Sequence, residues 1–154
     1  MSQRSALEYR ATILLGIIQQ LQTTRQTEML KPFDMTRSQF SVLTHLALHP
    51  ERRCTISGLA EVMEINQPGI TKIVKKLADK ALIDVIEDKQ DKRKKHLEIN
   101  RQGLSFVSQC QSTIQPDNAE CYKSWNDNEL HAFLESLDKL KTWLDSHRND
   151  IQTD

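Results

Sequence analysis

Residues 55–77 read TISGLAEVMEINQPGITKIVKKL, and this stretch decides the fold. Thr55 to Met63 has the spacing of a brief helix, with Leu59, Ala60 and Met63 apolar. Glu64-Ile65 leaves room only for a tight connection. Asn66 is a good N-cap for a second helix, because its side chain can accept an otherwise unpaired amide of the first turn. Pro68 falls in that turn, where a missing N–H costs nothing. Ile70, Ile73, Val74 and Leu77 then make one apolar stripe at helical period. Two helices joined by a tight turn, the second of them basic, have the outline of a helix-turn-helix. With the stripe facing inward, Pro68, Thr71, Lys72 and Lys75 point the other way and Lys76 flanks them. Such a face suits a helix that enters a major groove N-terminus first. Gln67 and Thr71 can reach base edges there, while the lysines and the amides around Gly69 meet phosphate. Gly69 adds no side chain to block close approach. A solvated lysine face on an ordinary surface helix fits this segment equally well when it is taken alone.

The chain on either side narrows the choice. Downstream, Leu82–Ile86 and His96–Ile99 read as two antiparallel strands, and the stretch between them, EDKQDKRKK (87–95), has no apolar residue to anchor it. It is expected to project as a hairpin tip carrying Lys89, Lys92, Arg93, Lys94 and Lys95. An arginine at such a tip can enter a minor groove, where the potential is most negative. Asp88 and Asp91 are unexpected in an anion-binding loop. Asp91 stands two residues before Arg93, so it is read as stabilising the wing or fixing Arg93. Upstream, residues 5–30 form a long amphipathic helix (Leu7, Ala11, Leu14, Ile18, Leu21) that ends at Lys31-Pro32-Phe33-Asp34. Thr36-Arg37-Ser38-Gln39 is a capping-box signature. The helix it opens turns Phe40, Leu43, Leu46 and Ala47 inward and stops before Pro50. Asn100 caps a further helix with Leu104, Val107 and Ile114 on one side, and Pro116 either kinks or breaks it. From Asp127 onward, Leu130, Phe133, Leu134, Leu137, Leu140 and Leu144 recur at a/d-like positions.

Composition agrees with a helical protein. The 154-residue chain is 38% hydrophobic, 5% aromatic and 27% charged, low in the aromatic and β-branched content of a sandwich or barrel. Formal net charge is zero, but it is distributed unevenly: +2 over residues 1–50, +3 over 51–101 and −5 over 117–154. A basic middle and an acidic tail suit one face that meets an anionic polymer. Random variation in surface charge would also give these totals. No apolar run reaches the roughly eighteen residues of a membrane span. The apolar stretch Ile13–Ile18 ends at Gln19 and Gln20 without a signal-peptide cleavage site, so a cytoplasmic location is expected. Cys54, Cys110 and Cys121 form no C-x-x-C pair and are read as small hydrophobes. No nucleophile–base set, phosphate loop or paired catalytic carboxylates can be assembled, so no enzyme and no cofactor is expected.

Together these features resemble the winged-helix core of the MarR (multiple antibiotic resistance regulator) family over roughly residues 36–103. The matching motifs are TISGLAEVM leading to the turn, NQPGITKIVKKL as recognition helix, ALI entering the wing, and DKR followed by HLEINRQG. The resemblance implies a mostly α fold with a small β-wing: one domain over 1–154, with a winged helix-turn-helix lobe at about 34–100. Its N- and C-terminal helices, about 5–30 and 101–148, would interlock in a homodimer. It further implies DNA-reading roles for Gln67, Thr71 and Lys72, with Arg93 at the wing, and a small effector, often a phenolic or other aromatic acid, held between the DNA-binding lobe and the dimer helices. The expected DNA-contacting set is Gln67, Pro68, Gly69, Thr71, Lys72, Lys75, Lys76, Lys92 and Arg93, with Asp91 stabilising the wing. The function expected is a sequence-specific regulator, a repressor released by its effector. The competing function is a winged-helix protein-interaction adaptor without a DNA role, and the co-location of Lys72, Lys75, Lys76 and Arg93 speaks against it. One departure is visible: family members usually have glycine where this chain has Ala81. His45 and His49 stand i, i+4, but no third ligand with matching spacing accompanies them, and no metal site is expected. Peroxide-sensing relatives use a cysteine in the first helix, and this chain has none before Cys54. Trp125 and Trp143 are read as core or dimer-interface anchors.

Overall fold

The computed structural model describes residues 2–91 and 93–150. Lys92, expected among the DNA contacts, lies outside the described residues. Helix α1 spans Gln3–Leu30, capped by the Ser2 side chain. A 3-10 turn, Lys31–Phe33, leads through a left-handed Asp34 to α2, Arg37–Leu48. The capping box is formed: Thr36 takes the Gln39 amide and Gln39 reaches back to the Thr36 amide. Then follow β1 (Cys54–Thr55), α3 (Ile56–Met63), α4 (Gln67–Asp79), β2 (Ile83–Glu87), β3 (Lys95–Ile99), α5 (Arg101–Cys121) and α6 (Asp127–Ser146). The described residues up to Gln115 make one compact unit and those from Pro116 another.

In the first unit the sheet is antiparallel with order β1-β3-β2. Ile83 pairs with Ile99 and Glu87 with Lys95 along the wing. The two-residue β1 sets Cys54 against Leu97 and Thr55 against His96. It escaped the sequence reading because two residues carry no period. Leu43, Leu46, Leu59, Ile70, Leu77, Leu82 and Leu97 are buried at the centre. Each contributes about 1.5–3 kcal/mol through removal of its side chain from water. The anticipated stripe of α4 is the face that enters this core: Ile70, Val74 and Leu77 are buried and Ile73 half-buried.

Helix α4 ends in a Schellman motif, with the Leu82 amide on the Leu77 carbonyl (3.0 Å) and the Ala81 amide on Ala78 (2.8 Å). The motif needs a left-handed residue at its penultimate step, and Ala81 supplies it at φ 55°. Leu82 therefore serves as the apolar residue closing the motif, and β2 begins one residue later than the hydrophobic pattern suggested. Helix α5 starts against this exit. Gly103 is buried there, and a Cβ on it would stand 2.1 Å from the Leu82 carbonyl oxygen. Val107 and Ile114 point inward as expected, whereas Leu104 stays 38% exposed. The helix neither stops at Pro116 nor ends near it; it continues to Cys121.

In the second unit α6 opens with a capping box of Asn126 and Glu129. Trp125 packs edge-on against Phe133 and Tyr122, at centroid distances of 5.3 and 5.6 Å. The anchoring role read for Trp125 thus has an observed packing partner in its own unit.

Ala81→Gly is expected to raise stability by about 0.5–1 kcal/mol, because relief of the left-handed strain exceeds the extra freedom of unfolded glycine. Gly103→Ala is expected to lower it by about 2 kcal/mol or more, since the added methyl meets backbone that cannot move aside cheaply. Urea denaturation of both variants and the parent at one protein concentration checks the two signs.

Candidate nucleic-acid interface

Asn66 turns α3 into α4. Its side chain accepts the Gly69 amide at 2.8 Å, and Glu64 ahead of it is left-handed at φ 52°, ending α3. This changes the role of Gly69. Its amide is satisfied by the cap and is not among those open to phosphate. Glycine stands there because a Cβ would come within 2.9 Å of Ile65 and 3.1 Å of the capping oxygen. Gln67 and Pro68, by contrast, are exposed in the first turn, as are Thr71, Lys72, Lys75 and Lys76 along the outer face. The expected outward face is therefore the outward face in the fold. Its groups are not equally available. The Thr71 hydroxyl donates to the Gln67 carbonyl at 2.8 Å, so its remaining capacity is as an acceptor. Lys75 pairs with Asp79 at 3.0 Å on the exposed surface. Lys72 and Lys76 have no ion-pair partner among the described residues.

The wing is held by aspartates. Asp91 accepts the Arg93 amide at 3.0 Å through its side chain and the Lys94 amide at 2.8 Å through its carbonyl. It thus fixes the backbone on which Arg93 stands. Asp88, which the sequence reading left without a role, does more. Its Oδ1 accepts the Gln90 and Asp91 amides at 2.8 and 3.0 Å, and its Oδ2 bonds Nε2 of His96 at 2.8 Å. These bonds, His96 first and the two amides after it, hold the Asp88 carboxyl well below the usual carboxylate range. Arg93, Lys94 and Lys95 are exposed.

Helix and wing face one cavity of about 720 Å³, lined by Thr55 and Ser57 at the start of α3, Gln67 and Thr71 of α4, and Asp88, Arg93, Lys94, Lys95 and His96 of the wing. The fold thus brings together Gln67, Thr71 and Arg93 from the expected set. Lys72, Lys75 and Lys76 lie on the same helix without lining that cavity. Thr55, Ser57 and His96 were given no binding role beforehand, and Asp88 was noted only as unexpected in an anion-binding loop. Thr55 gave a signal, as the N-cap that opens α3; for His96 the signal was a polar residue alternating with the buried Leu97 and Ile99.

Elsewhere, the His45 and His49 rings meet edge-on with centroids 6.4 Å apart. No group of three metal-ligating side chains occurs among the described residues. Burial pushes the Cys110 thiol up to about 11, which disfavours a reactive thiolate there. No described helix is long and apolar enough to cross a membrane.

Comparison with known proteins follows the same lines. Residues 33–94 match the family model described as MarR family. The matched segment runs from the end of the 3-10 turn to the wing. Solved structures share the wider fold. The transcriptional regulator BldR from Sulfolobus solfataricus is 21% identical with a TM-score of 0.78, over 92% of this chain and 99% of that one. The Staphylococcus aureus MepR–DNA complex is 22% identical at 0.74, over 87% and 97%. Wild-type apo MarR from Escherichia coli is 22% identical at 0.72, over 84% and 94%. The shared architecture is mostly helical with a small antiparallel wing.

Proposed function

We propose that the chain is a transcriptional regulator that binds double-stranded DNA through α4 and the wing. The observation that carries this reading is the shared cavity: the side chains suited to base edges, Gln67 and Thr71, face the same space as Arg93, Lys94 and Lys95. A solvated lysine face on α4 alone would need no projecting basic wing beside it. Similar folds have been solved in complex with DNA, the MepR complex and an Escherichia coli MarR variant with operator DNA, which supports a DNA-binding role. Gln67, Pro68 and Thr71 would then meet base edges, and Lys72, Lys75, Lys76 and Arg93 the backbone or the minor groove, with Lys92 completing the wing's contacts.

We further infer a homodimer. Leu7, Leu14, Ile18 and Leu21 of α1 are 62%, 46%, 42% and 60% exposed. On α6, Leu134, Trp143 and Leu144 are 57%, 58% and 54% exposed. Apolar faces of this extent on a soluble regulator are explained by burial against a second copy. A dimer would also present two recognition helices to a pseudo-palindromic operator. Repression, and release by a small aromatic or phenolic acid, complete the proposal. A further cavity of the first unit, of about 410 Å³, has Lys31, Arg37 and Lys80 on its wall, with Asp34 paired to Lys80.

On a duplex selected from a random pool, Gln67→Ala is expected to cost about 1–3 kcal/mol, and much less on unrelated DNA. Lys75→Ala is expected to weaken both alike and reduce the salt slope by about one unit. Titrations at several salt concentrations separate the two. Equal binding by both variants and the parent would move the adaptor reading ahead. For assembly, sedimentation is expected to show a dimer with no stable folded monomer at micromolar concentration, and a folded monomer there would sink the dimer.

A further inference from the structure

The cavity between α4 and the wing contains one side chain of the type that titrates near neutral pH, and it is the side chain that ties the wing down. His96 lies in the central strand, opposite Ile86 of β2 and Thr55 of β1. Its Nε2 meets the Asp88 carboxylate at 2.8 Å, and that carboxylate holds the Gln90 and Asp91 amides of the tip. Its Nδ1 is buried and has no hydrogen-bond partner. Gln67 and Thr71 line the same cavity.

We propose that His96 and Asp88 are a positioning pair for the wing, and that DNA binding takes up a proton at His96. The inference rests on the DNA-binding reading above. With a neutral ring, Nε2–H donates to the carboxylate. With a protonated ring the same bond, already assisted by the carboxylate's charge, becomes an ion pair. In the free protein two things oppose the second proton. It would sit on the buried Nδ1 without an acceptor, and Arg93, Lys94 and Lys95 line the cavity with like charge. Among the described residues lining the cavity, Asp88 is the one charge that favours it. The remaining groups facing the ring, Thr55, Ile56 and Ser57 from β1 and α3 and Gln67 and Thr71 from α4, are uncharged. On neighbouring strand positions Glu87 stands opposite Lys95, and Glu98 is paired with Arg53. A phosphate backbone entering the cavity offsets the three cations and tips the ring toward the imidazolium. The bound state then holds more protons than the free state, so affinity rises as pH falls and is lost as pH rises.

The test compares the parent, H96Q and D88N on the selected duplex at about pH 8, 7 and 6 and constant ionic strength. Glutamine keeps an N–H donor but cannot titrate. Asparagine keeps the acceptor for the tip amides but removes the charge that favours imidazolium. The quantity read is the pH slope, and His45, His49, His131 and His147 contribute to it equally in all three proteins. Between about pH 8 and 6 the parent is expected to tighten by about threefold or more beyond H96Q, with D88N intermediate. Amide exchange at Gln90 and Asp91, measured without DNA, is expected to stay slow in H96Q and to quicken in H96L, which lacks the donor. Equal slopes in the parent and H96Q, with DNA binding intact, overturn the inference alone. Absence of duplex binding by the parent at every pH overturns the DNA reading, and this inference falls with it.

Discussion

Asn100 joins the two helix ends on which the lobe depends. Its Oδ1 accepts the Gly103 amide at 2.9 Å and so caps α5, while its Nδ2 donates to the Ala81 carbonyl at 3.0 Å, where α4 has just ended. The same Nδ2 reaches Asp84 at 3.3 Å, and the Asn100 amide reaches Leu82 at 3.4 Å. One side chain thus serves the exit of the recognition helix, the first strand of the wing and the start of the next helix. Loss of an N-cap alone costs about 0.5–2 kcal/mol. Here the cap also ties the exit of α4 to the strand that leads into the wing. The absence of a side chain at Gly103 is what lets these parts approach closely enough.

Much of this was legible beforehand, for reasons that differ by residue. Asn66, Thr36 and Asn100 act locally, within three residues of the amides they cap, so sequence spacing suffices. The α4 stripe is a periodicity and reads directly. The left-handed Ala81 was legible through its departure from the glycine usual in the family, since a single sequence does not otherwise reveal a positive φ. The remaining features depend on strands meeting. Nothing in the order of residues says that His96 lies across from Thr55, or that Asp88 reaches forward eight positions to it. Register is set by tertiary packing, and the hairpin's pattern pointed to its basic residues and to Asp91 beside Arg93, leaving Asp88 without a role. Gly69 shows the limit of that reading: the Asn66 cap was anticipated, but the Gly69 amide was still counted among those open to phosphate, although the cap occupies it.

The charges of the basic middle also look different once folded. Lys75 is matched by Asp79, Arg53 by Glu98 and Lys80 by Asp34, at 2.7 Å in the last case. Surface pairs of this kind contribute little to stability. They do lower the field that a distant polyanion meets there, while Lys72 and Lys76 of α4 and Arg93, Lys94 and Lys95 of the wing remain among the exposed cations without such a pair. A chain with zero formal charge can therefore present one strongly anion-attracting edge.

The placement of Leu30 has a consequence for the order in which the molecule forms. It is the only fully buried residue of the 28 in α1, and it sits at the last position. A helix of that length extends about 42 Å, and isolated helices nucleate poorly in water. Its C-terminal turn is fastened to the lobe while the turns near Ser5 have little of their own lobe to rest on. Helical order in α1 should therefore grow outward from Leu30, with the distal turns opening most often. The winged lobe, closed by contacts between α2, α3, α4 and the sheet, can complete itself first, and the long helix becomes a late-ordering arm.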